Sequence, residues 1–509
     1  MLKKIRIFLA VIFFISITLL LLDYTGTLHT WLWWMTKIQF LPAVLAVNLG
    51  FVALLVLTTL LLGRVYCSII CPLGIFQDIA ARIGNRHKKL PYSFSLAKSM
   101  LRYSVLGVFV FALLLRLGFI SNLIEPYSAY GRMIHNLLLP IVQLVNNGLA
   151  YFAERMDSYA FYTTDVWLKS LPTLIVAATT FIIVWRLAAL NGRTYCNTIC
   201  PVGTILGFLS RYSCFQVRID EKKCKQCGLC EYNCKAACID SEGALIDHSR
   251  CVSCMNCISK CKQGALRYKF QIPDFKIKSQ DTETANTETE SSETIDEGRK
   301  GFLIATMILA GSALKAQVVP KALDVKVDGG LADIIGKTMP QRLTQITPPG
   351  SSGTRNMKLR CTACQLCVTI CPNSVLRPSN SLGTFMQPYI SYERGWCRPE
   401  CVKCSEVCPT GAIKPISKEE KSSTQIGHAV FVRERCIPLT VKDECGNCAR
   451  HCPTNAITMV HSVIWDDRSP KRPAINEERC IGCGACEYLC PARPLSAIYV
   501  EGHKKHKEI

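Results

Sequence analysis

Acidic residues are scarce in this chain, which has 38 Asp and Glu against 59 Lys and Arg and therefore a formal net charge of +21. The sequence also lacks a Walker A loop, a GxGxxG fingerprint and a GxSxG nucleophile elbow. These gaps exclude P-loop nucleotide hydrolysis, dinucleotide binding and serine-hydrolase chemistry as readings of the chain. The charge excess alone suggests a nucleic-acid-binding protein, so its cause has to be found in the rest of the sequence.

Cysteine, in contrast, is abundant, with 30 residues in a chain of 509. Most of them lie in CxxCxxCxxxC runs, where they are too close together to join distant segments as disulfides. Zinc sites usually pair two CxxC units across a dozen or more residues, whereas a third Cys two residues later and a fourth three beyond is iron-sulfur spacing. The pattern predicts 4Fe-4S clusters.

Two such motifs form a first module. In bacterial two-cluster ferredoxins the remote fourth Cys of one motif ligates the cluster of the other. We therefore expect one cluster at Cys224, Cys227, Cys230 and Cys261, and a second at Cys251, Cys254, Cys257 and Cys234. Lys235 and Lys262 stand where the ferredoxin run has Pro, which bears on loop geometry. Cys214 and Cys238 fit neither set, and buried inert thiols are their default interpretation.

Four more motifs follow in the C-terminal part, and each ends in Cys-Pro. Their cysteines are Cys361, Cys364, Cys367, Cys371; Cys397, Cys401, Cys404, Cys408; Cys436, Cys445, Cys448, Cys452; and Cys480, Cys483, Cys486, Cys490. The second motif has a CxxxC start and the third has an insertion after its first Cys. These cysteines suffice for four clusters, which gives six in all. Whether adjacent motifs pair, or the first pairs with the fourth, stays open.

The clusters also account for much of the charge excess. A cubane bound by four thiolates carries about −2, so six of them would lower +21 to roughly +9. Basic residues flank the first two apolar runs, as cytoplasmic segments do: Lys3, Lys4, Arg6, Arg82, Arg86, Lys88, Lys89 and Lys98. We expect no nucleic-acid partner.

Long apolar runs point to a membrane domain, as does the mean hydropathy of +0.21. Four segments are long enough to span, at about 5–22, 40–62, 101–120 and 171–190. They form two helical hairpins. The first is an anchor helix rather than a signal peptide, because no small-residue cleavage site follows it. With the N-terminus inside, the loops 23–39 and 121–170 lie outside, and the apolar part of the latter predicts an interfacial helix.

The expected fold class is an internally duplicated α-helical membrane domain of four to five transmembrane helices, plus α+β ferredoxin-like modules. The expected domains are a membrane domain at 1–215, a two-cluster module at 216–270, a disordered acidic linker at 271–300, an export-signal-like or fifth transmembrane segment at 301–319, and a four-cluster domain at 320–509. Either interpretation of 301–319 sends the C-terminal domain outside, and we favour the uncleaved span.

A twelve-residue signature occurs twice in the membrane domain, as GRVYCSIICPLG at 63–74 and GRTYCNTICPVG at 192–203. CxxxC at a helix end puts both sulfurs on one face. If the hairpins pack about a pseudo-twofold axis, Cys67, Cys71, Cys196 and Cys200 converge at the cytoplasmic boundary, where they would hold a seventh cluster or act as redox thiols. The alternative is that they are small buried residues at helix ends.

Two GRxYCxxxCP repeats followed by a two-cluster ferredoxin resemble the NapH-type membrane ferredoxins over residues 1 to about 270, and the remainder resembles their NapG-type partner. The resemblance implies the electron-transfer subunit of a quinol dehydrogenase in the bacterial inner membrane, serving anaerobic respiration. Its partners would be the membrane quinone pool and a periplasmic acceptor, such as a c-type cytochrome or reductase. Similar repeats occur in NosR-type and CcoG-type proteins, so a redox maturation factor for a respiratory metalloenzyme is the alternative function.

Candidate quinone-contacting groups lie near the outer loops. They are His29, Glu125, Arg132 and His135, each of which also fits an ordinary interfacial polar role. The WLWW run at 31–34 is typical of an aromatic belt at the outer interface, with quinone contact as a second interpretation. An inner and an outer ferredoxin module would be separated by about 30 Å of hydrocarbon. Either quinone supplies the relay between them, or the inner module serves a separate cytoplasmic electron donor.

Overall fold

The structure is a computed structural model, and it describes residues 2–88, 92–270, 336–463, 465–466 and 468–509. The predicted acidic linker at 271–300 and the export-like segment at 301–319 lie outside the described residues. The described parts are a helical domain and two cysteine-rich modules.

The helical domain runs from residue 2 to residue 210 and contains fourteen α-helices with one π-helical turn at Ile134–Leu138. The α-helices are α1 (Leu2–Leu22), α2 (His29–Leu32), α3 (Trp34–Lys37), α4 (Phe40–Leu45), α5 (Leu49–Leu62), α6 (Val65–Ile69), α7 (Pro72–Lys88), α8 (Ser99–Leu114), α9 (Gly118–Ile124), α10 (Pro126–Met133), α11 (Leu139–Arg155), α12 (Leu171–Asn191), α13 (Thr194–Thr198) and α14 (Pro201–Ser210).

Two of these helices, α1 and α12, are long and apolar enough to cross a membrane, and α5, α8 and α14 are apolar but shorter. The predicted span at 40–62 is divided into α4 and α5, because Val47 takes a positive φ of 56° and interrupts the helix there. The predicted span at 101–120 ends as a helix at Leu114, before Arg116 with φ 60°. Among the described residues, length and composition thus give two candidate spans where the sequence predicts four, and the predicted fifth segment at 301–319 lies outside those residues.

The helices ahead of the repeated signature end in the same way. α5 stops at Gly63 with φ 74°, and α12 stops at Gly192 with φ 69°. Glycine adopts this left-handed conformation without a Cβ clash, which makes it the usual residue just past a helix end. A short helix, a break at the second cysteine and another helix follow in each repeat, as α6–α7 and α13–α14.

The first module closes on two antiparallel strand pairs. β1 (Phe215–Ile219) pairs with β4 (Leu266–Phe270), and β2 (Ile239–Asp240) pairs with β3 (Leu245–Ile246). Two short helices, α15 (Leu229–Tyr232) and α16 (Asn256–Lys260), each begin inside a CxxCxxC motif. The first and last strands are thus neighbours, and both cysteine loops lie between them.

The second module, at 336–509, contains this plan once, in β7 to β10, and one further strand pair. Its strand pairs are β5 (Leu376–Pro378) with β6 (Pro388–Ile390), β7 (Thr424–Phe431) with β10 (Ile498–Glu508), and β8 (Ile457–His461) with β9 (Lys471–Ile475). Its helices are α17 (Thr354–Arg360), α18 (Leu366–Ile370), α19 (Lys403–Glu406), α20 (Lys418–Ser423), α21 (Ile437–Thr440), α22 (Asn447–Arg450) and α23 (Ala485–Leu489).

The two modules contact opposite ends of the long helices. At the start of α1, Lys3 Nζ donates to Ser259 Oγ of the first module at 3.0 Å, whereas beyond its end Thr25 O accepts from Lys403 Nζ of the second module at 3.0 Å. A helix of 21 residues is about 31 Å long. The helical domain therefore separates the modules by roughly the thickness of a bilayer's hydrocarbon core.

Candidate functional site

The cysteines of the first module surround two cavities. Cys224, Cys227, Cys230 and Cys261 line one of about 420 Å³. The second, of about 360 Å³, is lined by Cys251, Cys254, Cys257 and Cys234. Each set combines three cysteines of one loop with the remote cysteine of the other motif, which is the ligand arrangement of a two-cluster ferredoxin.

Cys238 also lines the second of these cavities, with its sulfur 3.5 Å from that of Cys234. Its interpretation as an inert thiol away from the cluster set is therefore incomplete, because the structure gives this cavity a fifth cysteine. Cys214 is half-buried and lies outside the cavities of this module. The spacing of Cys238 gave no signal, since CxxxC across the end of one loop belongs to no ferredoxin pattern.

In the second module, adjacent motifs share their cysteines. A cavity of about 370 Å³ is lined by Cys397, Cys401 and Cys404 of the second motif with Cys371 of the first. Another of about 340 Å³ is lined by Cys436, Cys445 and Cys448 of the third motif with Cys490 of the fourth. The structure thus selects pairing of the first motif with the second and of the third with the fourth, an alternative the spacing left open.

The two remaining cysteine sets of the second module follow the same pairing of adjacent motifs. Burial raises the pKa of Cys364 to about 12, and nearby Cys408 adds to the shift. Burial likewise raises the pKa of Cys483 to about 12, and nearby Cys480 and Cys452 add to the shift. The fourth cysteine of one motif therefore lies beside the first three of its neighbour in both directions.

The cysteine loops share an unusual backbone. In four of the six motifs the residues on both sides of the second Cys have positive φ, as at Gln226 and Gly228, or Ala363 and Gln365. Such φ values are uncommon outside glycine and bend the chain so that successive side chains point to one side. Ala237 lies two residues after Lys235, and Ser374 lies two residues after the Pro that stands at the same place in its motif. Both have positive φ. Lysine in place of proline leaves the loop geometry unchanged.

The repeated signature brings Cys67, Cys71, Cys196 and Cys200 into one core, where each is 3–4% exposed. The two cysteines of each CxxxC do not lie on one helical face, contrary to the prediction. Cys67 and Cys196 lie on α6 and α13, whereas Cys71 and Cys200 precede the helices that begin at Pro72 and Pro201. The proline that follows each second cysteine starts a new helix instead of continuing the first.

Each repeat inserts its arginine into the other. Arg64 Nη2 donates to Cys196 O at 3.3 Å, and Arg193 Nη1 donates to Cys67 O at 2.5 Å. The glycine of each repeat leaves room for this exchange. A Cβ on Gly74 would lie 2.4 Å from Cys67 O, and one on Gly203 would lie 2.2 Å from Cys196 O. The duplicated sequence thus builds a pseudo-symmetric site around four thiols.

Positive charge is in excess around this site. Arg6, Arg193 and Lys235 share the single carboxylate of Asp78. Within the described parts of the chain, buried Arg64 and Arg102 have no carboxylate partner, although both donate to Ser249 O. Uncompensated buried charges cost several kcal/mol each, so the region favours an anionic group.

Donors also point at the sulfurs. Gln77 Nε2 lies 3.1 Å from Cys196 Sγ, and Arg64 Nη2 lies 3.8 Å from Cys67 Sγ. In addition, Arg64 Nε and Arg193 Nη2 are buried without a hydrogen-bond acceptor among the residues described. A thiolate-ligated 4Fe-4S cluster, which is anionic and accepts hydrogen bonds through its sulfurs, fits this environment.

The site contacts the first module through two of its own residues. Arg193 N donates to Lys235 O at 2.7 Å, next to Cys234, and Arg64 Nη1 donates to Ser249 O at 3.1 Å, two residues before Cys251. The side chain of Lys235 then returns to Asp78 at 2.5 Å. Lysine at the proline position therefore anchors the module to the helical domain.

On the opposite side, the site approaches the second module. Tyr195 Oη donates to Ile124 O at 2.8 Å, just before the start of α10. Gly131 on α10 packs closely against the second module, since a Cβ added to it would lie 2.7 Å from Cys364 O. His135 Nδ1 is 2.7 Å from Thr369 Oγ1. The four CxxxCP cysteines therefore lie between the two modules rather than at the end of the helical domain.

The proposed quinone contacts are buried at this second junction. His29, Glu125, Arg132 and His135 are each at most 8% exposed. Glu125 caps α10 by accepting from Ser128 N. Trp31 of the WLWW run is 81% exposed. None of the four side chains lies on the exposed surface of the helical domain.

In the described ranges, no three His, Cys, Asp or Glu side chains converge closely enough to hold a single metal ion. The cysteine sets instead surround the wider cavities given above. This arrangement suits a multi-iron cluster, whose irons each take one thiolate.

Comparison with known protein families adds an independent finding. The profile of a family described as "4Fe-4S binding domain" matches residues 44–91 and again 171–219, which are the two segments that carry the CxxxCP repeats. A "4Fe-4S dicluster domain" matches residues 443–493 in the second module. No solved structure matches the chain.

Curated relatives are distant. An uncharacterized protein of Methanocaldococcus jannaschii is 30% identical over 30% of this chain, and YccM of Escherichia coli K12, named for electron transport, is 24% identical over 46%. The chain spans 60% and 58% of the length of these two relatives. The ferredoxin-type protein NapF of Escherichia coli K12 is 24% identical over 35% of this chain and 100% of its own length.

These matches agree with the geometry of the cysteine loops. The chain carries 4Fe-4S ferredoxin-type domains and has distant homologues named for ferredoxin and electron-transport roles. It is therefore an iron-sulfur protein with domains of the 4Fe-4S ferredoxin type.

Proposed function

We propose that the chain is a membrane-embedded conduit that oxidises quinol and delivers the electrons to a periplasmic redox partner. The observation that carries this proposal is the position of Cys67, Cys71, Cys196 and Cys200 between the two modules. Without a carrier there, the modules would be separated by a helical domain about 31 Å long, as measured by α1. The four buried thiols supply a site for that intermediate carrier.

We further propose that the helical domain spans the membrane four times, with α4–α5 and α8 completing the set begun by α1 and α12. The exposed apolar side chains of the shorter helices support this. Leu49 is 74% exposed on α5, and Phe111 and Leu114 are 60% and 75% exposed on α8. Contiguous exposed apolar surface of this kind suits contact with lipid.

The orientation follows from charge. Lys3, Lys4 and Arg6 lie at the start of α1, at the end that contacts the first module, and cytoplasmic ends of spans carry such residues. The first module would then face the cytoplasm of a bacterial inner membrane, and the second module would face the periplasm.

The cysteine sets divide into seven sites under this proposal. Six are the ferredoxin sets that combine three cysteines of one motif with the fourth cysteine of its neighbour, and the seventh is the CxxxCP set. When bound, 4Fe-4S clusters exchange single electrons at potentials set by charge, hydrogen bonds and exposure. The chain's contribution is to hold these sets rigidly, to donate hydrogen bonds to their sulfurs and to compensate their negative charge.

Reconstitution in liposomes tests the function. The holoprotein, reduced by a short-chain quinol, should reduce an external one-electron acceptor with sustained turnover, and Cys67→Ser should abolish turnover while membrane insertion persists. A redox maturation factor, the alternative inferred from the sequence, would give at most a single stoichiometric burst. Such a burst without turnover would contradict the proposal.

A further inference from the structure

Contacts between the four cysteine sets of the second module fix an order in space that differs from the order of their motifs. Each set takes the number of the motif that supplies three of its cysteines. The first set is Cys361, Cys364, Cys367 and Cys408, the second is Cys397, Cys401, Cys404 and Cys371, the third is Cys436, Cys445, Cys448 and Cys490, and the fourth is Cys480, Cys483, Cys486 and Cys452.

The first set adjoins the helical domain. A Cβ added to Gly131 of α10 would lie 2.7 Å from Cys364 O, so the helix packs directly on this cysteine loop. The second set is its neighbour, because Cys367 and Cys404 lie close enough for their charges to interact. Electrons that leave the central site towards the second module therefore reach this pair of sets.

The second set continues into the fourth set. Cys397 N donates to Cys483 O at 2.9 Å, so a cysteine of one set is hydrogen-bonded to a cysteine of the other. Tyr392 is fully buried beside both of them, and its Oη donates to Gly482 O at 2.6 Å. A Cβ on Gly484 would overlap the Tyr392 ring, which shows that the loop of the fourth set packs directly on this ring.

The third set lies beyond the fourth. The two sets exchange their remote cysteines, since Cys490 lines the cavity of the third set and Cys452 lies beside Cys483 of the fourth. Cys448 also lies near Cys486. From the helical domain outwards, the series therefore runs first, second, fourth and third, and the third set is at its outer end.

The insertion in the third motif connects this last set to the surface. Ile437 and Pro438 of α21 line the cavity of the set, whereas residues 440–444, which follow directly, are all exposed. Val441 in this stretch is 63% exposed. The extra residues between Cys436 and the rest of the motif thus form an exposed loop that begins at the cavity wall.

We propose that electrons leave the chain at the third set, and that the insertion at 437–444 is the docking surface for a soluble one-electron carrier. Electron tunnelling falls steeply with distance, so a carrier has to approach the last set of the series closely. A loop of this size offers far less area than a stable complex needs, which suits a partner that docks and leaves. Each transfer moves one electron from a cluster held by the third set to the oxidised carrier, and no bond or proton is exchanged. This inference rests on the proposed electron-transfer function and gives it an exit.

Oxidation of the pre-reduced holoprotein tests the exit without quinol. The full chain in liposomes, with the second module outward, is reduced by dithionite, freed of excess reductant and mixed with cytochrome c in a stopped-flow instrument. Cys445→Ser should lose the fast phase of cytochrome reduction, because it removes the outermost set. Cys401→Ser is the matched control, which should keep a fast phase from the third and fourth sets. Each variant should lose about four irons by chemical assay.

A substitution that spares all ligands tests the docking loop. Val441→Glu should raise the KM for cytochrome c about tenfold, with little change in kcat or in iron content, because a buried charge in the contact opposes docking. Leu343→Glu adds the same charge at a fully exposed position outside the lining of the third-set cavity and should leave KM unchanged.

The outcomes separate the exit from the quinol-linked function. A fast phase in Cys445→Ser as large as in the parent would overturn the exit, and equal KM values in Val441→Glu and Leu343→Glu would overturn the docking loop. Loss of the fast phase in Cys445→Ser but not in Cys401→Ser would support the exit even if the parent showed no turnover with quinol, a result that would contradict only the proposed quinol oxidation.

Discussion

Asp78 forms ion pairs with three cationic side chains from separate parts of the chain. Arg6 comes from the first helix, Arg193 from the second repeat and Lys235 from the first module, and all three side chains are largely buried. Removing one partner of a buried ionic network leaves the others uncompensated, which is far more costly than losing a surface pair. This one carboxylate therefore joins two domains.

Asp78→Asn should consequently destabilise the protein by about 3–5 kcal/mol at the junction with the first module. Thermal unfolding in detergent, followed through loss of iron-sulfur absorbance, would report a lower Tm. Asp220→Asn is the matched control, because Asp220 makes an exposed pair with Lys223 at 3.8 Å and should contribute less than about 1 kcal/mol. Equal shifts in the two variants would contradict the assigned role of Asp78.

Cys234 and Cys238 both line one cavity of the first module, and either could supply the fourth ligand of its cluster. We expect Cys234→Ser to lose about four irons, because Cys234 occupies the remote ligand position of the ferredoxin pattern. Cys238→Ser should retain them and shift only the spectrum of that cluster. Chemical iron assay with electron paramagnetic resonance would decide, and retention by Cys234→Ser with loss in Cys238→Ser would exchange their roles.

Among the elements, the paired helix breaks at Cys71 and Cys200 organise the central site. Each break lets an arginine of the opposite repeat reach a backbone carbonyl, and a glycine one turn later makes the space. A larger residue at that glycine would overlap a carbonyl oxygen of its own repeat and crowd the arginine of the other repeat. The close approach therefore explains why Gly recurs in both copies of the signature.

Gly74→Ala and Gly203→Ala should each destabilise the helical domain by about 1–3 kcal/mol, because the new Cβ would overlap a carbonyl oxygen of the other helix in its repeat. The thermal midpoint in detergent should fall in both. Gly107→Ala on α8 meets open space and should instead be neutral or stabilising by up to about 1 kcal/mol. A similar fall for Gly107→Ala would show that the effect is not specific to the repeats.

Cysteine spacing identified the loops of all six ferredoxin motifs, because three thiols in one tight turn are a local property of the chain. Their pairing was not local. It depends on how the strand pairs bring the fourth cysteine of one motif to the next, and both pairings satisfy the same spacing. Cys238 was missed for the same reason, since its place beside Cys234 depends on the turn through Ala237.

Helix limits in the helical domain were predictable only in part. Apolar composition located the segments, but positive φ at Val47 and Arg116 divides or shortens two of them. Neither Val nor Arg is a residue type that predicts a helix break. The position of the CxxxCP site between the modules also depends on tertiary contacts, such as that of Tyr195 with Ile124 O, which no sequence pattern reveals.

At the scale of the full assembly, the helical domain separates two redox modules. Each of the two longest helices contacts the first module near one end and the second module near the other, as Arg193 with Lys235 and Ser170 with Asn380 illustrate for α12. If the helices span the bilayer, the modules must lie in different compartments. Under the proposed function, the buried central site supplies the carrier between them.

This arrangement predicts that a reporter fused after Ile509 lies in the periplasm. Alkaline phosphatase at that position should be active, because it folds only after export, and a fluorescent protein that requires the cytoplasm should stay dark. A fusion that ends at Phe270 after the first module should give the reverse result. Cytoplasmic signal from both fusions would contradict the assignment of the modules to opposite faces.

The most direct test of the central site is iron quantitation with electron paramagnetic resonance on the anaerobically purified full chain. Seven cysteine sets predict about 28 irons per chain, and a Cys67→Ser, Cys196→Ser double variant should hold about 24 and lose one paramagnetic signal. An identical iron content and spectrum in the parent and the double variant would contradict the claim that the four CxxxCP cysteines carry a cluster between the two modules.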